Sequence, residues 1–118
     1  FMRRLFDTFD SEFLRLNMDT GNTFIAGLDP VQYLRDLLPY LSHMHIKDVS
    51  ESLAAALRGE ETGIACSEVP VGGGVNAQNI KSCIALLKET GWSGAVSIEC
   101  NGADDNIRQS VEFLRGLL

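Results

Sequence analysis

Three segments of the chain end in side chains that bind metals or move protons. Asp19 follows LRLNM, His45 lies within HMHIKD, and Glu99 follows GAVSI. Two carboxylates and one imidazole form a ligand set that suits Mn²⁺, Co²⁺, Mg²⁺ or Zn²⁺. If the three side chains meet, the sequence predicts a divalent metal site. The alternative is three unrelated polar strand ends.

The elements that would position these side chains alternate between strands and helices. Strands are predicted over about residues 13–19, 43–49 and 94–100. Asp29-Pro30 and Asn76 are typical helix starts. Gly91 is a typical helix end, and a last helix is predicted over about residues 104–117. This β-α-β-α-β-α order predicts a parallel sheet, because parallel strands need helical crossovers.

The connections between these elements are predicted to be mostly irregular. GNTFIAG is predicted to form a turn, SLAAALRG a short helix, and the charged stretch RGEET (residues 58–62) a solvated loop. Gly72, Gly73 and Gly74 precede the helix that begins near Asn76. Backbone amides at such a position could bind an anion. We favour the simpler interpretation, a tight turn from the loop into the helix.

Side-chain alternation separates an apolar face of the strands from a polar one, since successive side chains point to opposite faces. The apolar face carries Leu14, Leu16, Met18, Met44, Ile46, Val96 and Ile98. The polar face carries Arg15, Asn17, Asp19, His43, His45, Lys47, Ala95, Ser97 and Glu99. Ionisable groups on an inner face are costly unless they are paired or bound to a metal. We therefore expect Asp19, His45 and Glu99 to converge on one cation.

The composition favours an ordinary globular protein and argues against some functions. The 118 residues include 45% hydrophobic and 22% charged residues, and the formal net charge is -6. No basic stripe is visible, which argues against nucleic-acid binding, because phosphate neutralisation supplies most of that affinity. No apolar run approaches the length of a membrane span. Cys66, Cys83 and Cys100 form no CxxC pair, which indicates reduced thiols in a cytoplasmic protein.

Four phrases of the sequence, in this order and spacing, resemble one protein family. LNMDTGN, HMHIKD, VPVGGGVNAQNI and GAVSIE are similar to motifs of the xylose isomerase-like, sugar phosphate isomerase/epimerase superfamily. The resemblance extends from about Phe13 to the C-terminus. It implies an α/β fold in which residues 1–118 form a single partial domain, the C-terminal three β/α units of a TIM (β/α)8 barrel. The N-terminal strands would be absent, since a complete barrel needs about 250 residues.

The resemblance also implies roles for individual residues. Asp19 and His45 match metal ligands of the family, and Glu99 matches a glutamate that binds metal and acts as an acid/base catalyst. The fourth ligand of the family, another glutamate, belongs to an earlier strand. The family's ketose 3-epimerases carry His at the position of Asn22 and Arg at that of Glu51. These departures separate the chain from the ketose 3-epimerases and leave the metal ligands intact.

Other polar residues near the second strand have more than one predicted role. His43 lies one pleat deeper than the candidate ligand of that strand, and we interpret it as a packed histidine. Lys47 could contact a substrate oxygen or phosphate, or pair with Asp48 or Glu68. Lys47 and Asn22 are the candidate substrate-binding residues. Asp48 could orient a metal-bound water or a loop.

The favoured hypothesis is an enzyme acting on a small polyhydroxylated substrate. A divalent ion would bind a carbonyl and a neighbouring hydroxyl, which acidifies the adjacent C–H and stabilises an enediolate. Glu99 is the candidate catalytic residue that moves the proton. Isomerisation or epimerisation of a sugar or sugar phosphate is the first hypothesis, and a dehydratase or lyase acting on a related keto-polyol is the alternative. A multi-metal phosphodiester-cleaving enzyme, disfavoured by the two histidines present, and a catalytically incomplete barrel fragment are the remaining alternatives.

Three parallel strands leave two unpaired edges, near Leu16 and Ile98, and an uncovered inner face. Open edges recruit partners, so we expect a homo-oligomer or association with an N-terminal part of the barrel. Light scattering and denaturant unfolding test this expectation. A monodisperse monomer that unfolds cooperatively would contradict it.

Overall fold

The architecture is a small parallel sheet flanked by helices, seen in a computed structural model that describes residues 1–60, 66–102 and 104–118. Its elements are, in chain order, α1 (Met2–Phe9), β1 (Leu16–Asp19), α2 (Thr20–Ile25), α3 (Pro30–Leu37), a 3₁₀ turn (Leu38–Tyr40), β2 (Leu41–Ile46), α4 (Glu51–Leu57), α5 (Ala77–Glu89), β3 (Ala95–Ile98) and α6 (Asp104–Arg115). Within the described ranges, every helix is too short or too polar to cross a membrane. The end of the RGEET stretch, at residues 61 and 62, lies outside the described residues.

The three strands pair in parallel in the order β1-β2-β3. Asp19 lies opposite His45 in the first pairing, and His45 lies opposite Ser97 in the second. The predicted parallel sheet is therefore confirmed. The strands are shorter than predicted, and β2 begins at Leu41 rather than at His43. In the described part of the chain, the outer edges of β1 and β3 pair with no further strand.

The apolar face of the sheet packs under α3 and α5. The buried side chains of this layer are Leu16, Met18, Leu34, Leu37, Met44, Ile46, Ile80, Cys83, Ile84 and Leu87. Burying one aliphatic side chain contributes about 1.5–3 kcal/mol, so this layer supplies much of the driving force for folding. The alternation predicted for β1 and β2 is confirmed. Val96 on β3 departs from it and is 43% exposed.

Two helices lie where the sequence pattern predicts none. In α1, Phe6 is buried and stacks on Tyr40 with ring centroids 4.5 Å apart. Helix α2 replaces the predicted turn over GNTFIAG. It is capped by Asp19, whose carboxylate accepts a hydrogen bond from the N–H of Asn22 at 2.8 Å. Gly21 and Asn22 have low helix propensity, which hides this helix from the pattern, and the cap stabilises it instead.

The helix boundaries predicted from capping residues are confirmed, with one correction. The Asp29 carboxylate accepts from two backbone N–H groups at the start of α3, and Gly91, with φ 65°, follows the end of α5. Asn76 precedes α5, but its side chain does not cap the helix. Its buried Nδ2 donates instead to the carbonyl oxygens of Thr20 and Lys47, at 3.1 and 3.3 Å. Asn76 thus ties α5 to the residues that follow β1 and β2.

A buried carboxylate organises the turn that precedes α5. Oδ2 of Asp48 accepts from the N–H groups of Gly72 and Gly74, at 2.9 and 3.0 Å. Oδ1 accepts from those of Val49 and Asn76, at 2.8 and 2.9 Å. The glycine-rich turn therefore binds the chain's own carboxylate, and the predicted loop-to-helix turn is confirmed. Of the two roles predicted for Asp48, it is the orientation of a loop that these contacts show.

Position 74 should tolerate no side chain. A Cβ on Gly74 would overlap the carbonyl oxygen of Val49 and would lie 2.5 Å from Oδ1 of Asp48. That carboxylate is itself held in place by backbone N–H groups. We therefore expect Gly74→Ala to lower the free energy of unfolding by about 1–3 kcal/mol, as measured by urea denaturation. Gly116→Ala is the matched control, because its Cβ would meet nothing nearer than the carbonyl oxygen of Phe113 at 3.4 Å. Equal losses in both variants would contradict the prediction.

Candidate metal centre

The three candidate ligands lie at the carboxyl ends of adjacent strands. Asp19 is the last residue of β1, and His45 lies opposite it on β2. Glu99 follows β3, and its N–H donates to the carbonyl oxygen of Ile46 at 2.9 Å. The strand register therefore brings the three side chains to one edge of the sheet. One ligand atom from each lies within 4.8 Å of the other two, and all three residues are half-buried.

The two histidines face the same side of β2 but make different contacts. Nδ1 of His45 lies 2.9 Å from Oε2 of Glu99. Nε2 of His43 lies 2.8 Å from the hydroxyl oxygen of Ser97. The two rings meet edge to face, with centroids 5.0 Å apart. His43 thus lies one layer below the candidate ligands and packs against His45.

Lys47 places a cation between the two carboxylates. Its side chain is only 3% exposed, and Nζ lies 3.1 Å from Oδ2 of Asp19 and 2.5 Å from Oε1 of Glu99. The alternative in which Lys47 pairs with Asp48 or Glu68 is wrong. Asp48 follows Lys47 directly, so its side chain points to the other side of the backbone, where backbone amides bind it.

The residues of the DTGN motif surround Lys47. The hydroxyl of Thr20 accepts from the backbone N–H of Lys47 and donates to its carbonyl oxygen, both at 2.9 Å. Gly21 leaves room for the lysine stem, since a Cβ there would lie 2.6–2.8 Å from its carbons. Oδ1 of Asn22 accepts from Nζ at 3.3 Å, and Nδ2 of Asn22 donates to Asp19 at 3.1 Å. The DTGN and HIKD motifs therefore form one interlocked unit.

Burial and ion pairing oppose each other at this cluster. Burial raises the pKa of Asp19, and hydrogen bonds from Asn22 and Lys47 offset this only in part. Burial also acts to raise the pKa of Glu99, but hydrogen bonds from Lys47 and His45 outweigh it and lower that pKa. Desolvation acts to lower the pKa of Lys47, but its hydrogen bonds and charge interactions with Glu99 and Asp19 leave that pKa raised. The cluster therefore favours a positive charge between the carboxylates.

The donor set fits a divalent cation. Two ligand atoms of one ion lie at most about 4.4 Å apart when metal–ligand bonds are ~2.2 Å long. The three donors lie within 4.8 Å of one another, close to that limit. The ammonium of Lys47 already stands between the two carboxylates as a cation. Asp19, His45 and Glu99 thus form a possible metal site, which leaves further coordination positions to water, substrate or other protein groups.

Of the two positions that depart from the ketose 3-epimerases, Asn22 belongs to the site and Glu51 does not. Asn22 contacts both Lys47 and Asp19, whereas Glu51 is exposed in the first turn of α4. Sequence reasoning misses the supporting role of Asn76, because an asparagine before a helix is usually a cap. Its complete burial is the sign of another role, and burial is not visible from residue type.

A parallel sheet with helical crossovers and a polar cluster at the carboxyl ends of its strands are features of the β/α-barrel class. The sequence pattern of the xylose isomerase-like TIM barrel family matches residues 2–117. The chain belongs to this family, and the resemblance carried by its motifs is confirmed.

Three curated relatives are 23% to 31% identical to the chain over the aligned residues. The chain is 25% identical over 97 residues to the inosose dehydratase of Bacillus thuringiensis (strain Al Hakam), which covers 77% of this chain and 33% of the relative. It is 31% identical over 113 residues to the uncharacterized protein YfiH of Bacillus subtilis (strain 168), and this alignment covers 85% of this chain and 36% of the relative. It is 23% identical over 116 residues to the inosose dehydratase of Clostridium botulinum (strain Eklund 17B / Type B), and this alignment covers 93% of this chain and 38% of the relative. The chain thus spans about a third of the length of these relatives.

The Thr20 hydroxyl should be more important for stability than an ordinary helix hydroxyl. Thr20→Val removes the acceptor of the buried Lys47 N–H, and a buried donor without a partner costs about 1–3 kcal/mol. We expect a loss of that size in the free energy of unfolding, measured by chemical denaturation. Thr90→Val is the control, because that hydroxyl only donates to carbonyl oxygens of its own helix. A Thr20→Val variant as stable as the control variant would refute the bridging role.

Proposed function

We propose that this chain is part of a metal-dependent enzyme that isomerises or epimerises a sugar or sugar phosphate through an enediolate. The observation that carries the proposal is the meeting of Asp19, His45 and Glu99 at the carboxyl ends of three parallel strands. In β/α barrels this edge of the sheet is where active sites lie. Membership of the xylose isomerase-like family supports the same proposal.

The proposed cofactor is a divalent ion, Mn²⁺, Co²⁺, Mg²⁺ or Zn²⁺, held by Asp19, His45 and Glu99. The mixture of carboxylate and imidazole donors supports this group of metals. When bound, such an ion supplies Lewis-acid polarisation of a carbonyl oxygen and stabilises the negative charge that develops there.

Glu99 is the proposed proton-transfer group. Its side chain is 44% exposed, so a substrate on the inner face of the sheet can reach it. His45 and Lys47 bind its two oxygens and fix their direction. Because these contacts lower its pKa, Glu99 is ionised at neutral pH and can accept the proton of the carbon next to a carbonyl.

Asp19 is proposed to hold the ion without moving a proton. Its side chain is 14% exposed, so it is less accessible to a substrate than Glu99. Both of its oxygens accept hydrogen bonds from Asn22, one from the backbone and one from the side chain. These contacts orient the carboxylate as a ligand.

Lys47 and Asn22 are the proposed substrate-binding residues. Their Nζ and amide groups lie directly beside the two carboxylates. The Lys47 side chain is only 3% exposed, so an oxygen of a polyhydroxylated substrate would meet its Nζ once the carboxylates release it. Stabilising an oxygen that gains negative charge is the contribution expected from such donors.

Dehydration of a keto-polyol is the second candidate function. Two of the three relatives described above carry the name inosose dehydratase. Loss of water from the carbon beyond the enediolate begins with the same proton abstraction, so Glu99 would keep its role. The two reactions differ in the step after the enediolate, which is the return of a proton in one and the departure of a hydroxyl group in the other.

We further propose that the chain forms the C-terminal three β/α units of the barrel, with at least one more metal ligand from another strand. The order of the DTGN, HIKD and SIE motifs supports this placement. A small polyhydroxylated substrate fits the site better than a nucleic acid, because the formal net charge of -6 opposes binding of a backbone that carries many phosphates.

Metal analysis of the intact protein, followed by incubation in D₂O with ketoses, inososes and hydroxy-keto acids, tests the proposal. Deuterium gained at carbon without loss of water would support the isomerase or epimerase. Deuterium gain accompanied by loss of water would favour the dehydratase. A protein that binds no divalent metal and exchanges no substrate hydrogen would contradict both.

Two substitutions separate ligand from catalyst. Glu99→Gln should weaken metal binding and, at saturating Mn²⁺, still lower turnover by about 10²- to 10⁴-fold, the usual contribution of general acid–base catalysis. Asp19→Asn should weaken metal binding too, yet recover most activity at saturating Mn²⁺. Substrate hydrogen exchange with solvent is the measurement. Glu112→Gln, a change at an exposed carboxylate paired with Arg108, is the control and should leave exchange unchanged. Equal recovery of the Asp19 and Glu99 variants would make Glu99 only a ligand.

A further inference from the structure

Lys47 is a buried cation inside a cluster that is proposed to bind another cation. Its Nζ lies 3.1 Å from Asp19 and 2.5 Å from Glu99, two carboxylates that belong to different strands. Of the described arginines and lysines, Lys47 is the one whose charge reaches these two carboxylates. The ammonium therefore neutralises the same two groups whose charge a divalent ion would neutralise.

The position of Lys47 is fixed by the surrounding fold. Its backbone is bound on both sides by the Thr20 hydroxyl, and its stem lies against Gly21, where even one added carbon would collide with it. The side chain is almost completely buried, with 3% exposed. A buried ammonium is stable only when it is paired, so Lys47 and the two carboxylates depend on one another.

We propose that Lys47 is a built-in counter-cation that competes with the divalent metal for Asp19 and Glu99, and so sets the metal affinity of the site. The proposal rests on the metal site of the proposed function. A divalent ion placed near these carboxylates repels the ammonium. In addition, each hydrogen bond from Nζ to a carboxylate oxygen occupies a lone pair that the oxygen could otherwise donate to the metal. Both effects weaken metal binding while Lys47 is present. Asn22 remains a partner for Nζ when the carboxylates release it.

Competition of this kind has a second consequence. Without metal, the carboxylates of Asp19 and Glu99, whose ligand oxygens lie within 4.8 Å of each other, repel each other. The ammonium of Lys47 removes that repulsion. The counter-cation thus keeps the metal-free site folded, and metal binding adds less stability than it would to a site that lacked the lysine. Affinity and metal-free stability are expected to change in opposite directions when Lys47 is replaced.

Lys47→Met tests the inference, because methionine fills the space of the stem without its charge. In the intact metal-stripped protein, titration calorimetry with Mn²⁺ should give binding roughly tenfold tighter or more than in the wild type, a coupling of ordinary size between two ligands. The metal-free variant should melt at a lower temperature than the wild type, and Mn²⁺ should raise its melting temperature by a larger amount.

Arg108→Met is the matched control. It removes one positive charge from the exposed side of α6, where Arg108 pairs with Asp105 and Glu112, so it changes the net charge equally without touching the site. Its Mn²⁺ affinity should equal that of the wild type. If the wild type binds Mn²⁺ and Lys47→Met binds it equally or more weakly, the competition by Lys47 is overturned and the metal site of the proposed function still stands. A wild-type protein that binds no Mn²⁺ at all would overturn the metal site itself.

A measurement on the wild type serves if Lys47→Met does not fold. The chain contains three lysines, Lys47, Lys81 and Lys88, and the last two are exposed on α5. Mass spectrometry after treatment with an amine-reactive reagent reports on each separately. Mn²⁺ should raise the modification rate of Lys47 several-fold, because its Nζ is released from the carboxylates, and leave those of Lys81 and Lys88 unchanged. An unchanged or slower rate at Lys47 would overturn the inference.

Discussion

The buried carboxylate of Asp48 is the constraint on which the rest of the structure depends. It accepts four backbone N–H groups, three of them from the turn before α5. A carboxylate with this many donors is stable in the interior without a cation. Through this carboxylate the end of β2 is joined to Asn76, the residue that precedes α5. The side chain of Asn76 in turn donates to the carbonyl oxygens of Thr20 and Lys47. One carboxylate thus fixes the relative positions of β1, β2 and α5.

That framework explains why the candidate metal centre is ordered although its ligands come from three strands. Asp48 and Lys47 are consecutive and point to opposite sides of the backbone, one into the turn and the other into the centre. Asp48 holds the scaffold by accepting hydrogen bonds from backbone amides, and Lys47 balances the charge of Asp19 and Glu99. Packing of the apolar face under α3 and α5 supplies stability, while these polar contacts determine geometry.

Much of the fold can be predicted from the sequence, because side-chain alternation and capping residues are local signals. The three strands, their parallel pairing and the start of α3 after its cap residue Asp29 are all visible in this way. Helix α2 is not, since Gly21 and Asn22 disfavour helices in isolation and the cap by Asp19 acts only in the folded chain. The partners of Lys47 are not visible either. Alternation places its side chain on the polar face, but only the strand register decides which carboxylates it meets.

The backbone amides of the glycine-rich turn are all occupied within the chain. The N–H groups of residues 72–76 all donate within the chain, to Asp48 and to the carbonyl oxygens of Pro70 and Val49. A phosphate group arriving at this turn would find no free amide and would meet a negative carboxylate behind it. The turn therefore gives no preference for a phosphorylated ligand over one without a phosphate group.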